Sequence, residues 1–192
     1  MALLTEGQVL GRATAATTLR KSATRDILTE TASLSAKFDI FLSHSSTEPE
    51  NFLLGVKGYL EDAGLTVYVD KYTDPQLSPE TVTPDTAELL RSRMRASMAL
   101  LYIHSRHSKT SRWMPWELGF FDGLKSRVGI VPITQRASNQ FEGEEYLGLY
   151  PYVDRATING TDTHELWINT TPTAYASLPR WVRGQQDIQK RA

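Results

Sequence analysis

Cysteine is absent from the 192 residues. That excludes disulfides, thiol nucleophiles and zinc sites built on thiolates, and it fits a reducing compartment such as the cytoplasm. No apolar run approaches the roughly 20 residues a membrane helix needs, and the N-terminal stretch lacks the apolar segment of a secretory signal. The sequons at Asn159 and Asn169 are therefore read as chance. Neither sign of charge dominates: 21 Lys and Arg against 22 Asp and Glu give a net charge of -1, so a nucleic-acid partner is not expected. The phosphate loop G-x-x-x-x-G-K-[ST], the dinucleotide fingerprint G-x-G-x-x-G, the nucleophile elbow G-x-S-x-G and the zinc motif H-E-x-x-H are all missing. The four histidines, at 44, 104, 107 and 164, lack the spacing of a metal site, and no metal is expected.

What is present has an ordinary globular balance, with 40% hydrophobic and 22% charged residues. The length suits one domain with appendages. Residues 1–36 read as an N-terminal helical extension, helical over 5–33, which packs on the domain. The remainder alternates. Phe38-Asp39-Ile40-Phe41-Leu42 is a short apolar strand. Phe52, Leu53, Val56 and Leu60 give helical spacing over 48–63, with Gly64 as its C-cap. Residues 65–69 form a second strand, and a polar loop carries Pro75 and Pro79. A helix over 85–97 is capped by Thr83, with Pro84 at its first position. Met98 to Ile103 is a third strand, 114–126 a third helix, and Val128 to Ile133 a fourth strand. Residues 135–149 read as loop with little helix, a short strand is expected near 150–153, and 175–190 as a terminal helix around Trp181 and Val182. Continuously apolar strands alternating with helices predict an α/β fold, a mostly parallel sheet covered by helices on both faces.

Ligands of such sheets bind beyond the carboxyl ends of the strands. Strand one ends in Ser43-His44-Ser45-Ser46, strand two in Asp70-Lys71-Tyr72, and strand three in His104-Ser105. The following loop and helix bring Ser108, Ser111, Trp113 and Glu117. Hydroxyls, carboxylates, imidazoles and aromatic rings together suit a sugar or nucleotide better than a lipid.

Four pieces in order carry a family resemblance. Phe38 to Ser45, Gly64 to Asp70, Ser105 to Leu118 with the W-x-x-x-E element Trp113 to Glu117, and Val128 to Ile133 resemble successive parts of a TIR (Toll/interleukin-1 receptor) domain. The resemblance covers about 37–135. It implies a flavodoxin-like TIR fold over 37–170, with 171–192 as a C-terminal helix packed on or flanking it. It also implies an NAD+ nucleosidase in which NAD+ is substrate and no cofactor is required. The nicotinamide–ribose bond would be cleaved to give ADP-ribose or a cyclic ADP-ribose signal, in prokaryotic anti-phage defence. Glu117 would be the catalytic carboxylate. Ser43, His44, Ser45, Asp70, Tyr72 and Trp113 would line the substrate pocket. Partners implied are further copies, through TIR–TIR contacts, and a downstream effector that responds to the product; no membrane partner is expected. Residues 43–46 lack the basic side chains some relatives carry there, which leaves Lys71 and Arg112 as candidates to hold the pyrophosphate.

One carboxylate suffices for this chemistry. A glycosidase needs a second to protonate its leaving oxygen. Nicotinamide departs neutral from a cationic state, so the requirement is stabilisation of an oxocarbenium-like ribose. Other roles are open to the same residues. Glu117 in a first helical turn would complement the helix dipole. Trp116, Phe120 and Phe121 read as core, and Trp113 as either core or pocket. Arg91, Arg93 and Arg95 read as a solvated helix face, and Tyr72 and Asp74 as part of an assembly loop. Two other functions fit the sequence: a non-enzymatic TIR–TIR adaptor, and a nucleoside deoxyribosyltransferase-like enzyme.

Overall fold

Apolar segments that alternate with amphipathic ones fold into a nine-stranded sheet with helices on both faces. The computed structural model describes residues 2–20, 36–74, 83–141, 143, 145–158 and 160–190, with the side chains of 16–20, 72 and 73 outside that description. The elements are β1 (Leu4–Thr5), α1 (Glu6–Arg20), β2 (Phe38–Ser43), α2 (Glu50–Asp62), β3 (Val67–Tyr68) and the single turn α3 (Asp70–Thr73). They continue through α4 (Pro84–Ala96), β4 (Ser97–His104), α5 (Trp113–Lys125), β5 (Val128–Thr134) and β6 (Tyr152–Thr157). β7 (His164–Thr171), β8 (Ala174–Ser177), α6 (Leu178–Val182) and β9 (Gln189–Lys190) follow. Among the described residues no helix is long and apolar enough to cross a membrane.

The sheet order is β3-β2-β4-β5-β6-β7-β8-β9. The first five of these strands run parallel, in the order of the flavodoxin-like arrangement. Side chains alternate across the sheet. Ile40, Leu42, Ala99, Leu101, Ile103, Val131 and Ile133 face α2, where Phe52, Leu53, Val56 and Leu60 close one core. Phe41, Leu100, Tyr102, Val128 and Ile130 face α4 and α5, where Leu90, Met94, Met114, Leu118 and Phe121 close the other.

Local chemistry ends the helices where the sequence places its signals. Gly64, at φ +75°, follows α2. The Gly64 N–H donates to the Glu61 carbonyl and the Leu65 N–H to that of Leu60, the paired bonds of a Schellman motif. At the start of α4, Thr83 and Thr86 form a reciprocal capping box with Pro84 in the first turn.

The N-terminal segment is woven into the sheet. β5 and β6 pair at Ile130 and Tyr152, and then β1 takes over the free edge of β5 at Ile133 and Thr134. Ala2 and Arg155 exchange backbone hydrogen bonds on the β6 side. Leu3 and Leu4 are buried, one in each core. α1 then lies against α2, Arg12 gripping Asp62 through Nε and Nη2 at 2.6 and 2.7 Å. The rest of the helix expected over 5–33 falls on residues 21–33, outside the described ones.

Three expectations need correction. The terminal helix over 175–190 is confined to Leu178–Val182. β7 and β8 form an antiparallel hairpin on β6, Trp167 and Tyr175 pack edge to face, and Gly184 at φ +68° turns the chain after α6 toward β9. Arg93 is not on a solvated face. It is buried, donating to both Asp74 oxygens at 2.8 and 2.9 Å, and Tyr68 donates to Asp74 at 2.9 Å. Asp74 is therefore a buried anchor rather than an exposed assembly residue; α4 reaches back to α3 through it.

Candidate active site

β2 stands between β3 and β4, so the chain leaves it first to one side and then to the other. In sheets of this kind the ligand crevice lies at such a switch point, here beyond the carboxyl ends of β2 and β4. Ser43, the last residue of β2, shares the face of Phe41 and so points toward α5.

The buried stripe of α5 is Met114, Glu117, Leu118 and Phe121, the i, i+3, i+4, i+7 pattern of a helix packed on a core. Glu117 is the ionisable member of that stripe. It lies in the second turn, since α5 starts at Trp113, so the first-turn dipole role does not apply. Its side chain is 5% exposed, and the Ser43 hydroxyl donates to Oε2 at 2.6 Å. Burial, and then the charge of Asp70, push its pKa up to about 7; the Ser43 hydrogen bond and the charge of His44 oppose the rise. A buried carboxyl whose pKa is raised toward neutrality is a marker of a functional site.

His44 follows Ser43 and turns toward β3. Its Nε2 meets Asp70 Oδ1 at 2.6 Å, and its Nδ1 meets the Ser45 carbonyl at 2.9 Å. Burial works against a charge on His44, but the hydrogen bond and charge of Asp70 prevail and raise its pKa. Burial likewise works against ionised Asp70, and His44, with the Lys71 backbone N–H, prevails in lowering its pKa. Each partner thus favours the charged form of the other.

The other expected site residues are placed as follows. Ser45 is buried and shares a hydrogen bond with Thr47, 2.9 Å apart, inside its own loop. Tyr72 belongs to α3, its side chain outside the described ones. Trp113 is half-buried, edge to face with Trp116 at 5.3 Å; Trp116 in turn stacks on Phe120 and Phe121 is fully buried. Lys71 and Arg112 are exposed. Ser105 and Ser108 close their own loop: Ser108 donates to the Ser105 carbonyl at 2.8 Å. His104 lies edge-on to Phe141 at 5.3 Å. Ser111 accepts from the Met114 N–H at 3.3 Å at the start of α5.

Two features escape the sequence reading. Tyr102 is the cross-strand neighbour of Ser43. Burial, followed by the nearby Tyr146 and Glu117, pushes its phenol up to about 12, so this ring is a neutral wall beside the carboxylate. Its position two residues before the end of β4, on the α5 face, is the signal that finds it. Glu48 is buried in the loop after β2 and accepts from Ser105 Oγ at 2.9 and 2.8 Å, tying together the two loops that flank the crevice. Nothing in the local sequence distinguishes Glu48 from a solvated loop carboxylate.

No family model matches the sequence. The chain is 42% identical over 147 residues to a protein of Bacillus cereus (strain MSX-D12) named Probable 3' cyclic ADP-D-ribose synthase ThsB'. The match covers 76% of this chain and 76% of the relative. With its switch-point crevice, its buried glutamate and this likeness over three quarters of its length, the chain belongs to the TIR-like family of ThsB'.

Proposed function

We propose that this protein cleaves the nicotinamide–ribose bond of NAD+ and closes the ADP-ribosyl unit into a cyclic ADP-ribose signal, in anti-phage defence. The observation that carries the reading is Glu117: a carboxyl group in the apolar stripe of α5, at the switch point, held by Ser43 at 2.6 Å. The name of the Bacillus cereus relative, a probable 3' cyclic ADP-D-ribose synthase, supports the cyclic product.

The proposed steps are these. The C1'–N bond breaks, its electron pair moves to the pyridinium nitrogen, and nicotinamide leaves neutral. Positive charge grows on the ribose, and the Glu117 carboxylate offsets it in a low-dielectric cleft, where such an interaction is strongest. Ser43 fixes the carboxylate. A hydroxyl of the same molecule that captures C1' loses a proton, and a carboxylate with a pKa of about 7 is matched to accept it. Water in the same place gives ADP-ribose. His44, Asp70, Ser45, Tyr72 and Trp113 are the proposed substrate-binding residues, with Tyr102 as an added wall beside Glu117. Assembly through contacts between copies, and an effector that responds to the product, complete the proposal.

The test is concentrated protein incubated with NAD+ beside Glu117→Gln, with products separated and weighed by mass spectrometry. The expected result is nicotinamide release with an equimolar product lighter than ADP-ribose by one water, and a loss of rate of about a hundredfold or more in the variant. Intact NAD+ in both samples, at concentrations that force assembly, favours a non-enzymatic interaction module. Turnover of nucleosides in place of NAD+ favours the deoxyribosyltransferase-like reading.

A further inference from the structure

On the reading of His44 and Asp70 as substrate-binding residues of an NAD+-cleaving site, we propose that Glu48 is a positioning residue for them: anchored to Ser105, it fixes the loop that presents His44 to Asp70.

Three strands end at the site, in the spatial order β3, β2, β4. A continuous run of hydrogen bonds crosses their carboxyl ends. Ser105, the first residue after β4, donates through Oγ to Glu48 Oε1 and Oε2 at 2.9 and 2.8 Å. The backbone N–H of Glu48 donates to the Ser45 carbonyl at 3.0 Å. His44 Nδ1 donates to that same carbonyl at 2.9 Å, so both of its lone pairs are used. His44 Nε2 completes the run on Asp70 Oδ1, 2.6 Å away at the start of α3. The Ser105 hydroxyl is itself held, accepting from the His107 N–H at 3.0 Å.

Two side chains of the loop after β2 reach the loop after β4. Thr47 Oγ1 donates to the His107 carbonyl at 3.2 Å, but Thr47 is exposed and water competes for that bond. Glu48 and Ser105 are each 3% exposed, so their bond is shielded. An apolar contact lets two loops slide past each other, whereas a satisfied buried hydrogen-bond network specifies one arrangement. The Ser43–Glu117 bond lies outside the run, since Ser43 belongs to β2 and Glu117 to α5. Loss of the Glu48 anchor therefore loosens His44 and Ser45 and leaves the carboxylate of Glu117 in place. The effect falls on KM rather than on kcat.

The experiment compares wild type, Glu48→Ala, Ser105→Ala, their double variant and Glu48→Gln as full chains, by NAD+ kinetics and by amide hydrogen exchange read by mass spectrometry. KM is expected to rise about tenfold in each alanine variant, with kcat within about threefold. The double variant rises no further than the worse single one, because the two residues form one link. Glu48→Gln keeps an acceptor for Ser105, and its KM stays within about threefold of wild type. In the alanine variants exchange quickens at 44–48 and 105–108 together, with α5 unchanged. Ser105→Ala removes a single hydroxyl and decides the matter if Glu48→Ala does not fold. An unchanged KM with only a lower melting temperature overturns the proposal and leaves Glu48 a structural staple. KM effects that multiply in the double variant overturn it too. Exchange that quickens in both loops, in a protein whose wild type leaves NAD+ intact, overturns the catalytic reading and keeps the link between the loops.

Discussion

At Ser43 a single hydroxyl favours the ionised form of the carboxyl beside it. The hydroxyl donates to Glu117 Oε2 and lowers the affinity of Glu117 for its proton. Ser43→Ala leaves a buried oxygen without this donor. A hydrogen bond to a charged group contributes about 1.5–3 kcal/mol, so kcat/KM for NAD+ is expected to fall about ten- to a hundredfold at pH 7. The sign of the pH dependence follows. Losing a bond that favours the ionised form raises the pKa above its present value of about 7, so the deficit shrinks as pH rises toward 9 and the carboxylate refills. Ser43→Thr, which keeps the donor, retains most of the rate. A loss of the same size at every pH would place the hydroxyl on the substrate instead, and a kcat/KM profile of the two variants separates these cases.

Between elements, two contacts hold the frame that presents this site. α1 meets α2 at Gly55, where an added methyl group would fall on the Val9 carbonyl oxygen and lie 2.7 Å from Val9 Cγ1. Backbone cannot yield there as a side chain can. Gly55→Ala is expected to lower stability by about 1–3 kcal/mol through overpacking. Gly58→Ala, which meets only the far end of Arg12, loses less. Urea denaturation of the two variants measures the difference. α4 is tied to α3 and β3 by the buried Arg93–Asp74–Tyr68 cluster. Arg93→Ala strands the Asp74 charge, and a loss of about 3–5 kcal/mol is expected in the same experiment. An Arg93→Ala protein as stable as wild type would mean that water reaches Asp74. The sequence shows α4 plainly, through its capping box, yet gives no sign that one of its three arginines is buried. That fact depends on a partner 19 residues away.

The molecule as a whole is half legible in its sequence, and the division has a physical basis. β2, β4 and β5 are apolar on both faces, and α2 and α5 carry their own periodicity, so the parallel half reads from local pattern. β7 mixes polar with apolar residues and β8 is four residues long; β7 becomes a strand on β6, and β8 on β7. Glu117 was legible through W-x-x-x-E, and its place in a buried stripe could be read once the start of α5 is fixed. The His44–Asp70 bond joins the ends of two strands, which only the fold brings together. The same burial that shapes the site sets a pH dependence for the whole protein. Burial raises Glu117 from 4.5 to about 7 and Asp154 from 3.8 to about 6. The folded chain thus keeps protons that the unfolded chain has released. Their contribution to stability is complete below the lower values and is lost as pH rises through the higher ones, by at most about 3 kcal/mol for each group. His44, whose pKa is also raised, acts in the same direction above its ordinary 6.5. Asp70, lowered from 3.8, acts in the opposite direction but below this range. The melting temperature is therefore expected to fall from pH 5 to pH 8. Glu117→Gln and Asp154→Asn should each flatten the fall, and Glu117→Gln should melt above wild type at pH 8 while losing activity. A wild-type melting temperature that climbs over the same interval would show that the two carboxyls are solvated in the folded protein, and with that the electrostatic basis for catalysis by Glu117 would go as well.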